Sequence, residues 1–354
     1  MKKNLSYFAI LDKKKSPGVY NKINNTVKAA SNLGFNAKSE VFALDKRVNF
    51  MKEIWLSTSD YIFIRYPGWL SIFLFLLLFK KRLEGKIIVI DIPTPRTIGL
   101  EEIKVSNRSK AKKILASLAE VVTGSWVLLP ANKIIQYAQE SCFFSLGIKN
   151  KSIKIGNGII IDEGIPLVQE SKSFEGLNLI AVAQLADWHG YDRLIKAIGM
   201  LKGSHPDHLI RFTIVGAGSA LQPLKKLATK LNLDDVISFT GLLYGNDLTK
   251  AFNEKNIAVS SLGLYRKKLN EASELKTREY MARGLCLIGV GKDPDFPENS
   301  PYRFTIPNND TIEPLVDLLL SLYEKKSPNP SKVRKYAIDN LSLESKIKTI
   351  LDKV

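Results

Sequence analysis

At 354 residues the chain is longer than one hydrophobic core usually grows, so two domains of roughly 150 to 200 residues are expected. Apolar content of 45% beside 25% charged residues excludes a disordered chain, and no internal repeat points to a solenoid. The net charge of +17 is uneven: residues 1–160 hold 26 Lys+Arg and 11 Asp+Glu (+15), whereas residues 161–354 hold 26 and 24 (+2).

The basic half suits a polyanion, an anionic membrane surface or a phosphorylated ligand, unless its lysines serve solubility alone. Only Cys142 and Cys286 occur. A disulfide framework is therefore not expected, and a reducing cytosol fits. The N-terminus "MKKNLSYFAILDKKK" reads as a first strand rather than a secretory leader.

In chain order, short apolar strands alternate with amphipathic segments. Strands are expected at 7–11, 37–44, 61–66, 86–92, 119–124 and 152–158, with helices at Val19–Leu33 and Arg108–Ala116. The run "WLSIFLFLLLF", Trp69–Phe79, is too short for a span of about 20 residues. It reads as a buried core helix or as an interfacial segment with Lys80, Lys81 and Arg82 at lipid headgroups. After a pause at Ile159–Gly176 the alternation resumes. Strands fall at 177–185, 208–218, 236–243, 257–262 and 286–290, with helices at 191–201, 220–231, 246–254 and 274–283 between them. A last amphipathic helix, about Lys332–Asp352, is placed to pack back on the first domain. The class is α/β, with two doubly wound domains facing a cleft. The expected division is 1–165 and 166–330, with 331–354 returning to the first domain.

Three segments carry chemistry. "IVGAGSALQPL" (214–224) places Gly216 and Gly218 in a strand-to-helix turn, either a phosphate approach or a plain tight turn; it lacks the third glycine of a dinucleotide fingerprint. "AVAQLADWHGYDRL" (181–194) puts Trp188, His189 and Gly190 on the loop after a buried strand. There His189 is either a cation for a ligand phosphate or a surface residue. "EASELKTREYMARG" (271–284) sets Lys276 and Glu279 on one helical face behind Glu271. The N-terminal amides of that helix, with Lys276, make an anion site, and Glu279 suits vicinal ribose hydroxyls; the alternative is a solvated charged face.

Taken in order, these segments resemble the retaining glycosyltransferases of family 4, which have the GT-B fold of two Rossmann-like domains. The resemblance covers about Leu177–Val290 specifically. It lies in the frame Ala183–Gly190, the turn Gly216-Ala217-Gly218, Phe239-Thr240-Gly241, the pair Glu271 and Glu279, and Ser273, Leu275, Lys276, Tyr280, Ala282 and Gly284, as in capsule or lipopolysaccharide members. The first half supports it more loosely, through a glycine loop containing Gly18 and the strand end "IKIGNGI". The resemblance implies a retaining hexosyltransferase that moves a sugar from a UDP- or GDP-sugar to a glycan or lipid-linked acceptor, for cell-surface polysaccharide. Glu279 would hold the ribose and Glu271 the transferred sugar. Ser273 to Lys276, including Leu275, would hold the diphosphate, and Leu242 and Leu243 would meet the base. No metal or other cofactor is required, no nucleic acid is expected, and the place implied is the cytoplasm or the inner face of the plasma membrane.

The family's usual phosphate-binding Arg and Lys are Gln184 and His189 here, so Lys276, with Arg278, Arg65 or Arg96, would have to compensate. All three histidines lie in the second half. Asp91 therefore stands in as catalytic substitute for the first-domain histidine of the family. Rival functions on the same architecture are a sugar-nucleotide epimerase, a phosphorylase, and a binding subunit without turnover. Asp293-Pro294-Asp295 and the His205/His208 pair resemble metal motifs, but both fall on surface loops where a metal site is not expected.

Overall fold

The structure, a computed structural model, describes residues 2–13, 16–68, 71–93, 95–105, 109–169, 176–325 and 328–354. Lys14 and Lys15 of the first loop, Trp69 and Leu70 of the apolar run, Arg108, and 170–175 of the expected linker lie outside them.

The chain forms two compact units, 1–160 with 343–354, and 161–342. In the first, β1 (Asn4–Ile10), β2 (Asn36–Phe42), β3 (Tyr61–Arg65), β4 (Ile87–Ile92), β5 (Lys133–Gln136) and β6 (Ser152–Lys154) form one parallel sheet, in the order β2-β1-β3-β4-β5-β6. In the second, β7 (Leu177–Val182), β8 (Ile210–Val215), β9 (Ile237–Gly241), β10 (Ile257–Val259), β11 (Cys286–Val290) and β12 (Arg303–Ile306) form another, in the order β12-β11-β10-β7-β8-β9.

Strands such as "IIVIDI" and "CLIGV" are apolar without alternation because each face of a parallel sheet is covered by helices. In the first unit Tyr7, Phe63, Val89 and Ile135 pack on one face with helices Pro17–Asn32 and Leu343–Leu351. Phe8, Ile62, Ile64, Ile88 and Ile90 pack on the other with helices Arg47–Leu56 and Ser71–Leu83. Successive side chains thus serve opposite cores, as the two-residue period of a strand requires.

Several elements differ from expectation. Residues 119–124 are not a strand; they continue the helix Lys110–Thr123. Val121 and Val122 favour strands locally, but buried Arg96 fixes the helical end by donating to the Glu120 and Gly124 carbonyls and to the Glu120 carboxylate. A cation at a helix carboxyl terminus is favourable. The C-terminal helix is broken at Ser342, whose extended backbone (φ −70°, ψ 151°) ends Pro330–Leu341 within the second unit. Only Leu343–Leu351 joins the first, docked by the Leu343 amide on the Ile159 carbonyl at 2.9 Å. Two short strands, β5 and β12, carry no distinctive local signal and are defined by sheet pairing, whereas the helix Glu313–Glu324, with Pro314 in its first turn and Leu315, Leu319 and Leu322 buried on one face, is amphipathic in sequence yet missing from the expected elements. Ser71–Leu83 divides the apolar run, burying Leu74, Leu77 and Leu78 while Phe73, Leu76 and Phe79 face outward.

Candidate active site

In a doubly wound sheet, ligands meet the carboxyl strand ends where connections diverge to opposite sides. In the second sheet that point lies between β7 and β10. The loops following these strands pack together there: the Leu262 amide donates to the His189 carbonyl at 2.7 Å, and Arg266 binds both Asp187 and Asp192. Gly190 is left-handed (φ +64°), and a Cβ on it would sit 2.6 Å from the Gly263 nitrogen. Only glycine satisfies both the backbone and this close approach.

Gly216 and Gly218 also have positive φ, and Cβ atoms there would fall on the carbonyl oxygens of Ala183 and Leu185. Their immediate reason is therefore the packing of the β8 turn against the β7 loop, tied by Leu185 N–H to Ala217 O at 2.8 Å. Gln184 remains exposed on that loop, and Leu242 is exposed with half-buried Leu243 behind β9.

His189 is 4% exposed, and its Nδ1 lies 3.1 Å from the Ala186 amide, which donates to it. Burial, reinforced by Lys276, pushes its pKa down to about 4. At neutral pH the ring is therefore neutral, and the expected cation is absent. Trp188 stacks on it at 3.9 Å, and Lys267 lies 4.0 Å from the Trp188 ring centre. Lys267 is an exposed cation that sequence reasoning missed, because no motif distinguishes it within "YRKK".

Glu271 and Ala272 run beside the chain after β11: Glu271 pairs with Lys292, and the Ala272 amide donates to the Lys292 carbonyl at 3.0 Å. This brings Glu271 and half-buried Ser273 to the carboxyl edge. The helix Leu275–Ala282 starts there, with Leu275 exposed. Its N-cap residue Glu274 does not cap with its side chain. Its carboxylate instead accepts from the Ser260 and Ser261 hydroxyls and from the Ser261 amide, and lies 3.4 Å from Lys276 Nζ. Burial opposes ionisation of Glu274, yet Lys276 and these hydrogen bonds outweigh it and hold the carboxyl at about 2. Lys276 Nζ also reaches the Tyr191 hydroxyl (3.3 Å) and Ser261 Oγ (3.2 Å). Part of its charge is thus balanced within the protein. Glu279 Oε1 accepts from Arg283 Nε and Nη2 at 3.0 and 2.9 Å, so Arg283 orients the carboxylate.

Two proposed compensating cations are committed elsewhere. Arg278 is fully buried and bound to Asp293 (2.5 and 2.7 Å) and Asp295 (2.6 Å), which also engages those two carboxylates. Arg96 holds the helix end described above.

In the first unit, Gly18 is exposed at the second position of helix Pro17–Asn32. Asp91 is 1% exposed beneath that helix and Leu343–Leu351; its Oδ2 accepts from the Tyr7 hydroxyl (2.5 Å) and lies 3.5 Å from Arg65 Nη1. Burial, then Asp91, raises the Tyr7 hydroxyl well above its ordinary range. The cavity beside them measures about 30 Å³ and is lined by Tyr7, Lys22, Tyr137 and Lys346 among others. That volume suits a water rather than a sugar. Asp91 thus sits buried at the carboxyl end of β4, paired with Tyr7 and Arg65 through Oδ2 and lining that cavity.

Residues 169–339 match the family described as glycosyl transferases group 1. No curated protein matches the sequence. Among solved structures, a glycosyltransferase from Rickettsia africae ESF-5 superposes with a TM-score of 0.63 at 15% identity, covering 99% of this chain and 97% of the other. The apo lipopolysaccharide outer core galactosyltransferase WaaB gives 0.62 at 11% identity over 99% and 100% of the two chains. Anabaena Alr3699/HepE in complex with UDP gives 0.62 at 12% identity over the full length of both. Such likeness establishes the two-unit GT-B fold. On that fold, the similarity to glycosyl transferases group 1 lies in the second unit, over residues 169–339.

Proposed function

We propose that the protein is a retaining, metal-independent glycosyltransferase using a nucleotide-sugar donor. The observation that carries this is the convergence of Glu271, Lys276 and the start of helix Leu275–Ala282 with the His189–Gly190 loop at one switch point. Glu279, oriented by Arg283, takes the ribose hydroxyls, and Glu271 faces the transferred sugar. The diphosphate meets the amides of residues 273–276, Lys276, Lys267 and the His189 ring. Gly216, Gly218, Leu242 and Leu243 shape the floor for the base. Fixed donors directed at the charge developing on the leaving diphosphate lower the barrier without reorganisation. The acceptor, a glycan or lipid-linked oligosaccharide in cell-surface polysaccharide synthesis, supplies the attacking hydroxyl at the cytoplasmic face of the membrane. Its proton leaves with the departing phosphate oxygen, and the sugar's configuration is kept.

Calorimetry with UDP and GDP tests the assignment. Glu279→Ala is expected to weaken the preferred nucleotide more than about tenfold, a loss of about 1.4 kcal/mol or more. Lys267→Gln is expected to weaken the diphosphate while leaving uridine or guanosine binding unchanged. Donor hydrolysis in EDTA should equal that in magnesium. Unchanged nucleotide affinity in Glu279→Ala would remove this site assignment.

A non-catalytic binding subunit is the second reading, motivated by Gln184 and neutral His189 in place of two cations. Tight nucleotide binding without even slow donor hydrolysis would favour it.

A further inference from the structure

The helix Lys110–Thr123 is packed inside out. Ile114, Leu115, Leu118, Val121 and Val122 recur at the spacing of one helical face, a pattern that ordinarily meets a core. Each is instead 43–68% exposed. The inward face is polar, holding Glu120 and Thr123 against Arg96.

The stripe continues beyond the helix. The Trp126 indole donates to the Val122 carbonyl at 3.0 Å, and its ring lies 5.3 Å from that of Phe75 on helix Ser71–Leu83. Phe143 approaches Gly124, and Leu129 approaches Gly147. Trp126, Leu129, Phe143 and Leu146 are 38–73% exposed. A contiguous apolar surface of this kind marks an interaction site.

Charge selects the partner. Residues 96–160 contain ten Lys+Arg and four Asp+Glu, and of the carboxylates Glu120 and Glu140 are buried. Lys110 and Lys112 are exposed at the start of the apolar helix, and Lys149 is exposed near Leu146. A second copy would bring two such basic faces together, at an electrostatic cost. Among the described residues no helix is long and apolar enough to cross a membrane. A 14-residue helix with one apolar face and flanking lysines has the pattern of a segment suited to a membrane interface.

We propose that this face of the first unit seats in an anionic lipid bilayer, with the Ile114–Val122 stripe at the acyl boundary and the lysines at headgroups. The inference deepens the membrane-facing part of the proposed function. Lipid binding is read without donor or acceptor, so its failure and that of the transfer reaction are separable.

The test is flotation of the full chain with phosphatidylcholine vesicles, with and without phosphatidylglycerol. Wild type is expected to float with the anionic vesicles. The triple variant Leu115→Glu, Leu118→Glu, Val122→Glu, with its fold checked by circular dichroism, should bind at least about tenfold less. Lys110→Gln with Lys112→Gln and Lys149→Gln should lower the preference for anionic vesicles several-fold. Wild type that fails to float, or a Glu variant that floats equally, overturns the proposal. So does a wild-type dimer in sedimentation velocity that the Glu variant dissociates while no vesicle binding is seen.

Discussion

Replacing Lys276 by Met removes the ammonium ion-paired with buried Glu274 and separates two roles of the lysine. The ions are 3.4 Å apart with each side chain 16% exposed. At an effective dielectric of about 20 their attraction is about 5 kcal/mol, from which desolvation subtracts. The carboxyl at about 2 instead of the ordinary 4.5 is worth about 3 kcal/mol of folding stability. Because the folded pKa is depressed, this contribution is fully present above pH 4.5 and is lost as pH falls through 2. Lys276→Met should therefore lose about 3 kcal/mol in urea denaturation at pH 7, with the deficit shrinking between pH 4.5 and 2. Adding Glu274→Gln should recover most of that stability, because a neutral amide no longer needs the cation. Nucleotide affinity should stay lowered in the double variant, since the phosphate has still lost its lysine. A loss below about 1 kcal/mol, or a deficit unchanged with pH, would refute the buried-pair argument.

His189, held down to about 4, is predicted to titrate near that value by NMR of its ring Cε1 proton; a midpoint above 6 would refute the neutral assignment. Its pKa lies below the ordinary 6.5, so its stability contribution is whole above 6.5 and is lost as pH falls through 4. Arg278→Met removes the guanidinium bound to Asp293 and Asp295, and should cost about 3–5 kcal/mol by chemical denaturation; adding Asp293→Asn should recover part. Gly190→Ala, with positive φ and the 2.6 Å approach to Gly263, should sharply lower the yield of folded protein or the melting temperature; near-wild-type melting would refute the steric argument.

Long apolar strands and glycine turns were legible in sequence because parallel strands covered on both faces lose their alternation. Val121 and Val122 misled because strand propensity is local, whereas their helix is completed by Arg96, 24 or more residues away in sequence. The Ser342 break was likewise invisible in a continuous amphipathic pattern; contact with Ile159 fixes it.

At the site, the sequence by itself determined which residue types stand after β7 and β10, and the pairing of Glu271 with Glu279 in an order resembling family 4. Which charges are spent was decided only by tertiary structure. Burial and partners across the chain neutralise His189, sequester Arg278, join Lys276 to Glu274 and place Asp91 in a core. These outcomes depend on desolvation and on distances of a few ångströms between segments far apart in sequence, which no local pattern encodes.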